Sequence, residues 1–459
     1  EEARHVTYAD FVTEVDSYLN VDAIVAAIQR TRSGFVHPGY GFLSERSVFV
    51  RAVEAETDAI FIGPRPETMD LLGGKIAAKE FAASVGVPTL PWKKLATTGT
   101  LKISELETAA KEVGFPLLIK AAAGGGGKGM RRVDRVEDVA QGAESAASEA
   151  IAAFGDGNLF FERYVENPRH IEVQVFGDGV GGAVHFHERE CSLQRRHQKI
   201  WEEAPAPRLN AETRTRLTAA AIRLTAAVKY RSAGTIEFIL EERGGREEFY
   251  FLEMNTRLQV EHPVTELVTG TDLVHLQLEL ARAAAAKTKF VLPETPLVRG
   301  HAIEVRFCAE DPAQGFVPSP GKVDRLRWPT GAGIRVESGI EEGQTVGMGF
   351  DSLLAKIIVH APTREKAVAR MREALADTVV QGSIGTNQGF LRALCDHADV
   401  KAGQVDTGWI GRKIAELPGM KPGETELAWI GQALATMGGG SRALEQRRES
   451  AHPSPWVKT

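Results

Sequence analysis

The sequence predicts a mixed fold built from α/β and α+β layers. Residues 21–28 and 211–230 space their apolar side chains as an amphipathic helix does. Residues 115–120 form a short apolar run typical of a buried strand, whereas residues 159–177 and 233–262 alternate like strands of an antiparallel sheet. Because helices and strands occur in blocks along one chain, the pattern favours layered domains over a helix bundle or a β-sandwich.

The remaining elements continue this mixture along the chain. Residues 59–64 are predicted to form a short buried strand that stops at a Gly-Pro turn. Residues 75–85 are predicted to form a helix that ends at a Gly-Val-Pro stop signal. Further on, residues 300–307 and 356–360 are predicted strands, and residues 363–376 are a predicted helix.

The composition excludes several classes of protein. A chain of 459 residues has room for several domains of about 100–200 residues each. Its net charge of −6 argues against a nucleic-acid binder. No apolar run approaches the ~20 residues that span a bilayer, so no membrane partner is expected. Cys191, Cys308 and Cys395 lie far apart, which predicts free thiols in a reducing compartment: the cytoplasm, or the mitochondrial matrix in a eukaryote.

A glycine-rich segment follows the predicted strand that ends at Lys120. Gly124, Gly125, Gly126 and Gly127 precede Lys128, and backbone N–H groups in such a loop approach an anion closely. The loop is not a Walker A motif, because no serine or threonine follows the lysine. It predicts a polyphosphate site that closes as a lid, with a flexible surface loop as the alternative.

A polar stripe is predicted on residues 251–261. In an extended strand, Glu253, Asn255, Arg257, Gln259 and Glu261 point to one side. A turn at Gly244-Gly245 folds Glu237 opposite residues 252–253. Carboxylate and amide oxygens are the ligands that Mg²⁺ prefers, so the stripe predicts a metal site. The alternative is a solvent-facing surface of the sheet.

Basic residues gather at Arg195, Arg196, His197 and Lys199 in an otherwise acidic chain. Such a cluster favours binding of phosphate or bicarbonate, although a solvated loop remains the alternative. His170 is either a structural hydrogen-bonding residue or part of the site. Arg306 lies on a predicted strand, where a buried guanidinium needs an acid or an anion as its partner.

Together these segments resemble biotin carboxylase, a member of the ATP-grasp superfamily, from about residue 16 to about residue 417. The matching segments are residues 37–45 (HPGYGFLSE), the glycine-rich loop, and residues 167–170, 194–199, 253–266, 299–302, 318–322 and 386–387. Many matches in a fixed order make the resemblance specific.

The resemblance implies an ATP-grasp fold with a truncated Rossmann-like N-terminal domain at residues 1–70. An ATP-grasp domain at residues 71–290 follows, with a lid at about 90–162, and then a C-terminal biotin carboxylase domain at residues 291–417. Residues 418–459 contain Gly-Gly-Gly-Ser and Pro-Ser-Pro, typical of a linker, here towards a further domain. The sequence departs from the family in lacking its first strand and helix, and in having Gly74 where aspartate is usual.

The resemblance also implies the binding residues. ATP is expected to contact Lys75, Lys120, Gly124, Gly125, Gly126, Gly127, Glu162, Arg163, Val165, His170, Gln194 and His197. A magnesium or manganese ion is expected on Glu237, Glu253 and Asn255, and bicarbonate on Arg257, Gln259 and the backbone of Val260. Catalytic roles are expected for Glu261 as the base for bicarbonate, Lys199 beside bicarbonate and the transferred phosphate, Arg257, and Arg306 at the enolate of biotin. Asp351 is expected on the biotin side or at a dimer contact.

The implied reaction is the ATP- and bicarbonate-dependent carboxylation of biotin on a carrier protein, through carboxyphosphate. It is the first half-reaction of a biotin-dependent carboxylase of the acyl-CoA type. The sequence has no Met-Lys-Met for biotin attachment, so biotin is expected on a separate carrier domain. A carboxyltransferase subunit or domain and a homodimer or larger carboxylase complex are also expected. Another ATP-grasp ligase, or a nucleotide-binding fragment without catalysis, remains an alternative.

Overall fold

The structure is a computed structural model that describes residues 4–95, 102–122 and 130–417. The predicted phosphate loop at Gly124 to Gly127 and the predicted linker at residues 418–459 lie outside the described residues. Across the described ranges, no helix reaches the length and apolar character that a bilayer crossing demands. The three cysteines are free thiols, as predicted.

The N-terminal part combines helices with two short strands. Its elements are α1 (Val21–Thr31), β1 (Phe35–Val36), α2 (Ser47–Glu56), β2 (Ile60–Phe61) and α3 (Pro66–Gly73). The helix predicted at residues 21–28 is present, and the Asn20 side chain caps it by accepting a hydrogen bond from the Ala23 N–H. β1 and β2 pair in parallel, and Phe49 and Phe61 meet edge to face in the core.

A separate antiparallel sheet with its own core occupies the predicted lid. Helix α4 (Lys75–Ser84) precedes this region and packs against α3. The elements of the region itself are β3 (Trp92–Lys94), α5 (Ile103–Val113), β4 (Leu117–Ala121), β5 (Met130–Val133), α6 (Val139–Phe154) and β6 (Leu159–Arg163). The strands follow the order β3-β6-β4-β5, and α5 and α6 pack against them. Leu117, Ile119 and Phe161 are fully buried, so this layer has an independent hydrophobic core.

The main sheet carries the residues of the candidate site. The elements of its first half are β7 (Arg169–Asp178), β8 (Ala183–Arg195), β9 (Gln198–Ala204), α7 (Ala211–Ala227), β10 (Arg231–Arg243), β11 (Arg246–Asn255), α8 (His262–Thr269) and α9 (Leu273–Ala285). The elements that follow along the chain are β12 (His301–Cys308), β13 (Glu310–Asp311), β14 (Val317–Pro318), β15 (Gly321–Arg327), β16 (Ile334–Ser338), β17 (Thr345–Val346), β18 (Leu353–Ala361), α10 (Arg364–Asp377), β19 (Val379–Gly382), α11 (Gln388–Asp396), α12 (Ala398–Ala402) and α13 (Trp409–Lys413). Of their strands, β13 pairs with β14 in a separate two-stranded sheet, and β15, β17 and β19 form a separate three-stranded sheet.

Eight of these strands form one sheet in the order β11-β10-β7-β8-β9-β12-β18-β16. Neighbouring strands run antiparallel, and the pairing of β9 with β12 carries the sheet from the predicted ATP-grasp domain into the predicted C-terminal domain. Helix α8 packs across β9, β12 and β18, where Val264 and Val268 meet Ala204, Ala302 and Ile358. The loop that precedes α8 therefore lies over the junction between the two halves of the sheet.

The β10–β11 hairpin has the register that the sequence predicts. Glu237 pairs directly with Glu253, and a β-bulge follows Glu237. Strand β11 ends at Asn255, so the first part of the polar stripe is a true strand face.

Residues 256–261 are a loop rather than a continuation of β11. The prediction that Arg257, Gln259 and Glu261 share one strand face with the metal ligands is therefore wrong. The chain leaves the sheet because helix α8 begins directly after this loop. Pro263 lies in the first turn of α8, where the backbone N–H has no partner within the helix and its absence loses no hydrogen bond. The loop has to bring these side chains to the site by its own hydrogen bonds.

A buried carboxylate ties β9 to the C-terminal half. Glu203 accepts hydrogen bonds from His301 Nε2 at 2.6 Å and from Arg364 Nε and Nη2 at 2.7 and 3.0 Å. Burial alone would raise the pKa of Glu203, but His301 and Arg364 outweigh it and hold this pKa at about 2. The carboxylate is therefore ionised and paired at neutral pH.

Glu203→Gln is expected to lower the free energy of unfolding at pH 7 by about 3 kcal/mol, because the native pKa lies well below the usual value of 4.5. The wild-type contribution is complete above pH 4.5 and is lost as the pH falls towards 2, so the gap between variant and wild type narrows over that range. Denaturant unfolding at a series of pH values measures the difference in unfolding free energy between the variant and the wild type. The exposed Glu242→Gln serves as the control, and a gap independent of pH would contradict the assignment.

Candidate active site

The centre of the candidate site is one ammonium group shared by three acids. Lys199 Nζ donates to Glu172 on β7 at 2.6 Å, to Glu237 on β10 at 2.8 Å, and to Glu261 in the loop before α8 at 2.7 Å. Burial alone would lower the pKa of Lys199, but the three carboxylates raise it well above its usual value. The structure therefore gathers the predicted base, one predicted metal ligand and the predicted catalytic lysine at one point.

A fully buried arginine lies behind this cluster. Arg189 on β8 donates from Nε to Glu172 at 2.5 Å and from Nη2 to Gln259 at 2.5 Å. It also donates to Gln174 and Thr265. Sequence reasoning missed both Arg189 and Glu172, because a charged residue within a strand is ordinarily on the wet face. Only the sheet order, which buries β7 and β8 between other strands, reveals their position.

His170 adds a further positive charge. Its Nε2 lies 3.2 Å from Glu237 and 3.7 Å from Glu172. Burial alone would lower the pKa of His170, but Glu237 and Glu172 raise it to about 9. The imidazole is therefore protonated at neutral pH and suits an anionic neighbour.

Oxygen donors lie together at the end of the β10–β11 hairpin. Glu237 and Glu253 are cross-strand neighbours, and Asn255 Nδ2 donates to Glu237 at 2.8 Å. Glu253 is exposed, whereas Glu237 and Asn255 are buried. Carboxylate and amide oxygens of this kind suit Mg²⁺ or Mn²⁺, so the predicted ligand set fits a hard cation.

The N-terminal part of the chain holds the start of the loop. Glu45 accepts hydrogen bonds from the Thr256 N–H at 3.0 Å and from Arg257 Nε at 3.0 Å. Arg257 Nη2 also donates to Asn255 at 3.1 Å. Its Nη1 donates to the Leu258 carbonyl oxygen at 3.2 Å, so the hydrogen bonds of Arg257 within the described residues involve Glu45, Asn255 and its own loop rather than Glu261. Glu45 lies within a segment singled out above, yet its role as the support of Arg257 was missed.

The end of the loop carries Gln259, Val260 and Glu261. Gln259 is buried, and its amide donates to Glu237 at 2.9 Å. The Val260 N–H donates no hydrogen bond within the described residues. Burial alone would raise the pKa of Glu261, but Lys199 and Arg306 outweigh this and hold it at about 2. Glu261 is therefore a carboxylate, not a carboxylic acid, throughout the neutral range.

Arg306 on β12 has the acid partners that its burial requires. Its Nε donates to Glu202 at 2.6 Å and its Nη2 to Glu261 at 3.0 Å. Burial opposes the charge, but Glu202 and Glu261 raise the pKa of Arg306 far above its usual value. Among the described residues, Nη1 makes no hydrogen bond, which leaves one donor group of the guanidinium for a further acceptor.

The predicted nucleotide contacts begin with buried charges at the lid. Glu162 on β6 is fully buried between Lys79 and Lys120, each of which pairs with one of its oxygens. Burial alone would raise the pKa of Glu162, but the two ammonium groups hold it at about 2. Lys75 Nζ lies 3.4 Å from the Ala121 carbonyl oxygen, and burial together with Lys120 lowers its pKa. Lys79 was missed, although it lies one helical turn after Lys75.

The other predicted nucleotide contacts differ in their burial and in their partners. Arg163 pairs with Glu241 at 2.5 and 3.1 Å, and Val165 is buried. Gln194 is buried and donates to the Cys191 carbonyl oxygen at 2.8 Å. His197 is exposed in the turn between β8 and β9.

The basic cluster is therefore divided by the β8–β9 hairpin. Lys199 points into the acid cluster, whereas Arg196 and His197 form the exposed turn. Asp351 is also exposed and accepts a hydrogen bond from the Leu353 N–H. Beside it, the Phe350 ring contacts Phe42 and Tyr18 at the surface.

Models of protein families match almost the whole described chain. Residues 1–69 match the biotin carboxylase N-terminal domain, and residues 74–288 match the ATP binding domain of the carbamoyl-phosphate synthase L chain. Residues 304–412 match the biotin carboxylase C-terminal domain. The three matches follow one another in chain order.

Curated relatives and a solved structure agree with these matches. The mitochondrial methylcrotonoyl-CoA carboxylase subunit alpha of Oryza sativa is 45% identical over 89% of this chain, which spans 55% of that subunit. The chloroplastic biotin carboxylase of Arabidopsis thaliana is 42% identical over 91% of this chain and 77% of its own length. The biotin carboxylase domain dimer of Hydrogenobacter thermophilus 2-oxoglutarate carboxylase, in complex with MgADP, ADP and bicarbonate, superposes with a TM-score of 0.83 at 39% identity, covering 91% of each chain.

Glu162→Gln is expected to lower the free energy of unfolding by about 3–5 kcal/mol, because it leaves two buried ammonium groups without a counter-charge. Thermal or denaturant unfolding measures the change. Glu67→Gln is the matched control, since its ion pair with Arg51 is largely exposed and its loss should change little. Equal stability of the two variants would show that Glu162 is not needed to balance the charges of Lys79 and Lys120.

Proposed function

The chain belongs to the biotin carboxylase family, and we propose that it uses ATP and bicarbonate to carboxylate biotin carried on a partner protein. One observation carries this proposal: the ionised Glu261 lies between Lys199 and Arg306, with the Glu237–Glu253 pair next to it. This arrangement suits a base for bicarbonate that stands between a metal-bound triphosphate and a group that receives biotin.

We propose that bicarbonate binds to Arg257, Gln259 and the Val260 N–H. Glu261 takes its proton, since this carboxylate is ionised at neutral pH. The deprotonated oxygen attacks the γ-phosphorus of ATP, the bond to the bridging oxygen breaks, and carboxyphosphate and ADP result. The Val260 N–H has no acceptor in the part of the chain that the structure describes, and Gln259 is bonded to both Glu237 and Arg189, which supports a fixed anion site here.

Several groups are proposed to balance the negative charge that develops on the phosphates. Lys75, Lys120 and the glycine-rich loop bind the phosphates, and His170, Glu162, Arg163, Val165, Gln194 and His197 line the rest of the nucleotide. A magnesium or manganese ion held by Glu237, Glu253 and Asn255 would neutralise phosphate charge when bound. Lys199 stands beside bicarbonate and the transferred phosphate, where its ammonium group is held by three carboxylates.

The second step is proposed to take place at Arg306. Carboxyphosphate breaks its C–O bond to give carbon dioxide and phosphate, and phosphate takes the ureido proton of biotin. The ureido nitrogen then attacks carbon dioxide, while Arg306 stabilises the enolate oxygen through its free Nη1. The bonds from Nε and Nη2 to Glu202 and Glu261 hold the guanidinium in place for this role.

The domain division and the partners remain part of the proposal. We assign residues 1–70 to an N-terminal domain, 71–290 to the ATP-grasp domain with its lid at 90–162, and 291–417 to the C-terminal domain. A biotin carrier domain and a carboxyltransferase are the proposed partners, and a homodimer is supported by the dimer of the Hydrogenobacter domain.

The final acceptor of the carboxyl group is proposed to be chosen by the carboxyltransferase, because similar chains occur in carboxylases with different names, such as methylcrotonoyl-CoA carboxylase and 2-oxoglutarate carboxylase. The cytoplasm or mitochondrial matrix is the proposed location.

The decisive experiment measures ATP cleavage with and without bicarbonate and free biotin. Bicarbonate-dependent cleavage that free biotin stimulates, with formation of carboxybiotin, would support the proposal. Cleavage that requires another acceptor, such as ammonia or an amine, would favour a different ATP-grasp ligase. Binding of MgATP with no bicarbonate-dependent turnover would favour a nucleotide-binding role.

Glu261→Gln is expected to reduce the kcat of bicarbonate-dependent ATP cleavage by about 10²–10⁴-fold while MgATP still binds, because the base is lost. Turnover and MgATP affinity are measured side by side. Glu266→Gln is the control, since Glu266 is also buried, lies on α8 and pairs with Arg335 instead. Near-normal carboxylation by Glu261→Gln would exclude its role as the base.

Arg306→Ala is expected to slow carboxylation of free biotin by roughly 10²-fold or more and to leave MgATP affinity nearly unchanged. The reason is that Arg306 acts on the biotin enolate, not on the nucleotide. Parallel measurement of carboxybiotin formation and MgATP affinity separates these effects. Equal losses in both would contradict the assigned role.

A further inference from the structure

The two peptide groups around Val260 are each held by a buried side chain. The Val260 carbonyl oxygen accepts a hydrogen bond from Lys356 Nζ at 2.7 Å, and the Gln259 carbonyl oxygen lies 2.7 Å from His262 Nδ1. Lys356 is 2% exposed and His262 is 5% exposed. Carbonyl groups of surface loops ordinarily accept hydrogen bonds from water. Two buried side chains that contact successive carbonyl oxygens therefore restrain this loop specifically.

His262 is in the state that this contact requires. Burial and the nearby Lys356 lower its pKa to about 3, so the ring is neutral. A neutral imidazole donates from one nitrogen only, and the neighbouring carbonyl oxygen assigns that proton to Nδ1. The Gln259–Val260 peptide, which includes the Val260 N–H, is thus fixed from the side of α8.

Lys356 comes from the opposite side, on strand β18. Its Nζ pairs with Glu337 on β16 at 2.6 Å and lies 5.7 Å from the centre of the Tyr40 ring. Burial opposes a charge on Lys356, but Glu304 and Glu337 outweigh it and raise its pKa. The ammonium group therefore remains charged, and it joins the C-terminal half of the sheet to the loop before Glu261.

A buried lysine is a costly way to fill space in a sheet. An apolar side chain of similar volume would avoid the cost of removing an ammonium group from water. Glu337 offsets that cost, but an ion pair alone would be no better than two apolar residues. Besides facing the acids Glu337 and Glu304, Lys356 donates a hydrogen bond to the Val260 carbonyl oxygen, which an apolar residue cannot do.

We propose that Lys356 is a positioning residue for bicarbonate, which acts by fixing the peptide group that joins Val260 to Glu261. This inference rests on the proposed function, in which the Val260 N–H binds bicarbonate and Glu261 takes its proton. Together with His262, Lys356 holds both peptide planes at Val260, so the N–H donor and the carboxylate keep one relative orientation. Lys356 contacts no reacting atom and acts only through the backbone.

Lys356→Met is the first test, because methionine has a similar length but neither a charge nor a donor. The KM for bicarbonate is expected to rise about 10- to 100-fold, the loss that follows when a charged donor is removed from a partly buried acceptor. The KM for MgATP should stay within about twofold, since the nucleotide contacts lie elsewhere. A rise of both KM values by the same factor would overturn the proposal.

Glu337→Gln is the matched control. It removes the ion pairs of Glu337 with Lys356 and with Arg335 but leaves the hydrogen bond from Lys356 to Val260, so stability is expected to fall while the KM for bicarbonate stays within about twofold. A bicarbonate defect in Glu337→Gln as large as that in Lys356→Met would mean that the ion pair, not the loop contact, matters.

The double variant Lys356→Met with Glu337→Met keeps the proposal testable if the single variant folds poorly. It removes both members of the Lys356–Glu337 ion pair, and Arg335 keeps its pair with Glu266, so folding should recover at least in part. The KM for bicarbonate should nevertheless remain raised, and its return to the wild-type value would overturn the proposal. The wild-type enzyme is assayed in parallel: if its ATP cleavage does not depend on bicarbonate, the proposed function itself fails, which is a different result.

Discussion

The sharing of one ammonium group by three carboxylates is the constraint on which the site depends. An oxygen of each of Glu172, Glu237 and Glu261 lies within 2.8 Å of Lys199 Nζ, although the three acids come from two strands and a loop. Without a cation between them, buried carboxylates repel one another and take up protons. Lys199 therefore keeps the acids ionised and sets the separation between Glu237, the proposed metal ligand, and Glu261, the proposed base.

Each of these acids has a second cation on its other side. Glu172 has Arg189, Glu237 has His170, and Glu261 has Arg306. Because the cations surround the acids, none of the carboxylates can move without separating a buried ion pair. A site built in this way is already arranged before an anion arrives, and preorganised charges are the ones that stabilise developing negative charge most effectively.

Local sequence patterns predicted the elements that local forces determine. The helices at α1, α7 and α10 follow from apolar spacing, and the register of Glu237 against Glu253 follows from the Gly244-Gly245 turn. The resemblance supplied the candidate residues, but strand alternation failed beyond Asn255, because alternation does not reveal where a strand gives way to a loop.

The parts that were missed depend on contacts between distant segments. Arg189 and Glu172 look like ordinary charged strand residues until the order of the eight strands buries them. Glu45 lies more than 200 residues from Arg257 along the chain, and Lys356 lies 96 residues from Val260. The hydrogen bond from β18 to the loop has no sequence signal, since it is set by how α8 packs on the sheet.

The continuous sheet also limits how the molecule can open. Strands β9 and β12 share a hydrogen-bonded ladder, so the halves that carry Lys199 and Arg306 cannot swing apart as hinged bodies without breaking it. The small sheet of β3, β4, β5 and β6 is free of that ladder. A movement of this small layer would leave the ladder intact, so the distances from Glu261 to Lys199 and to Arg306 would not depend on it.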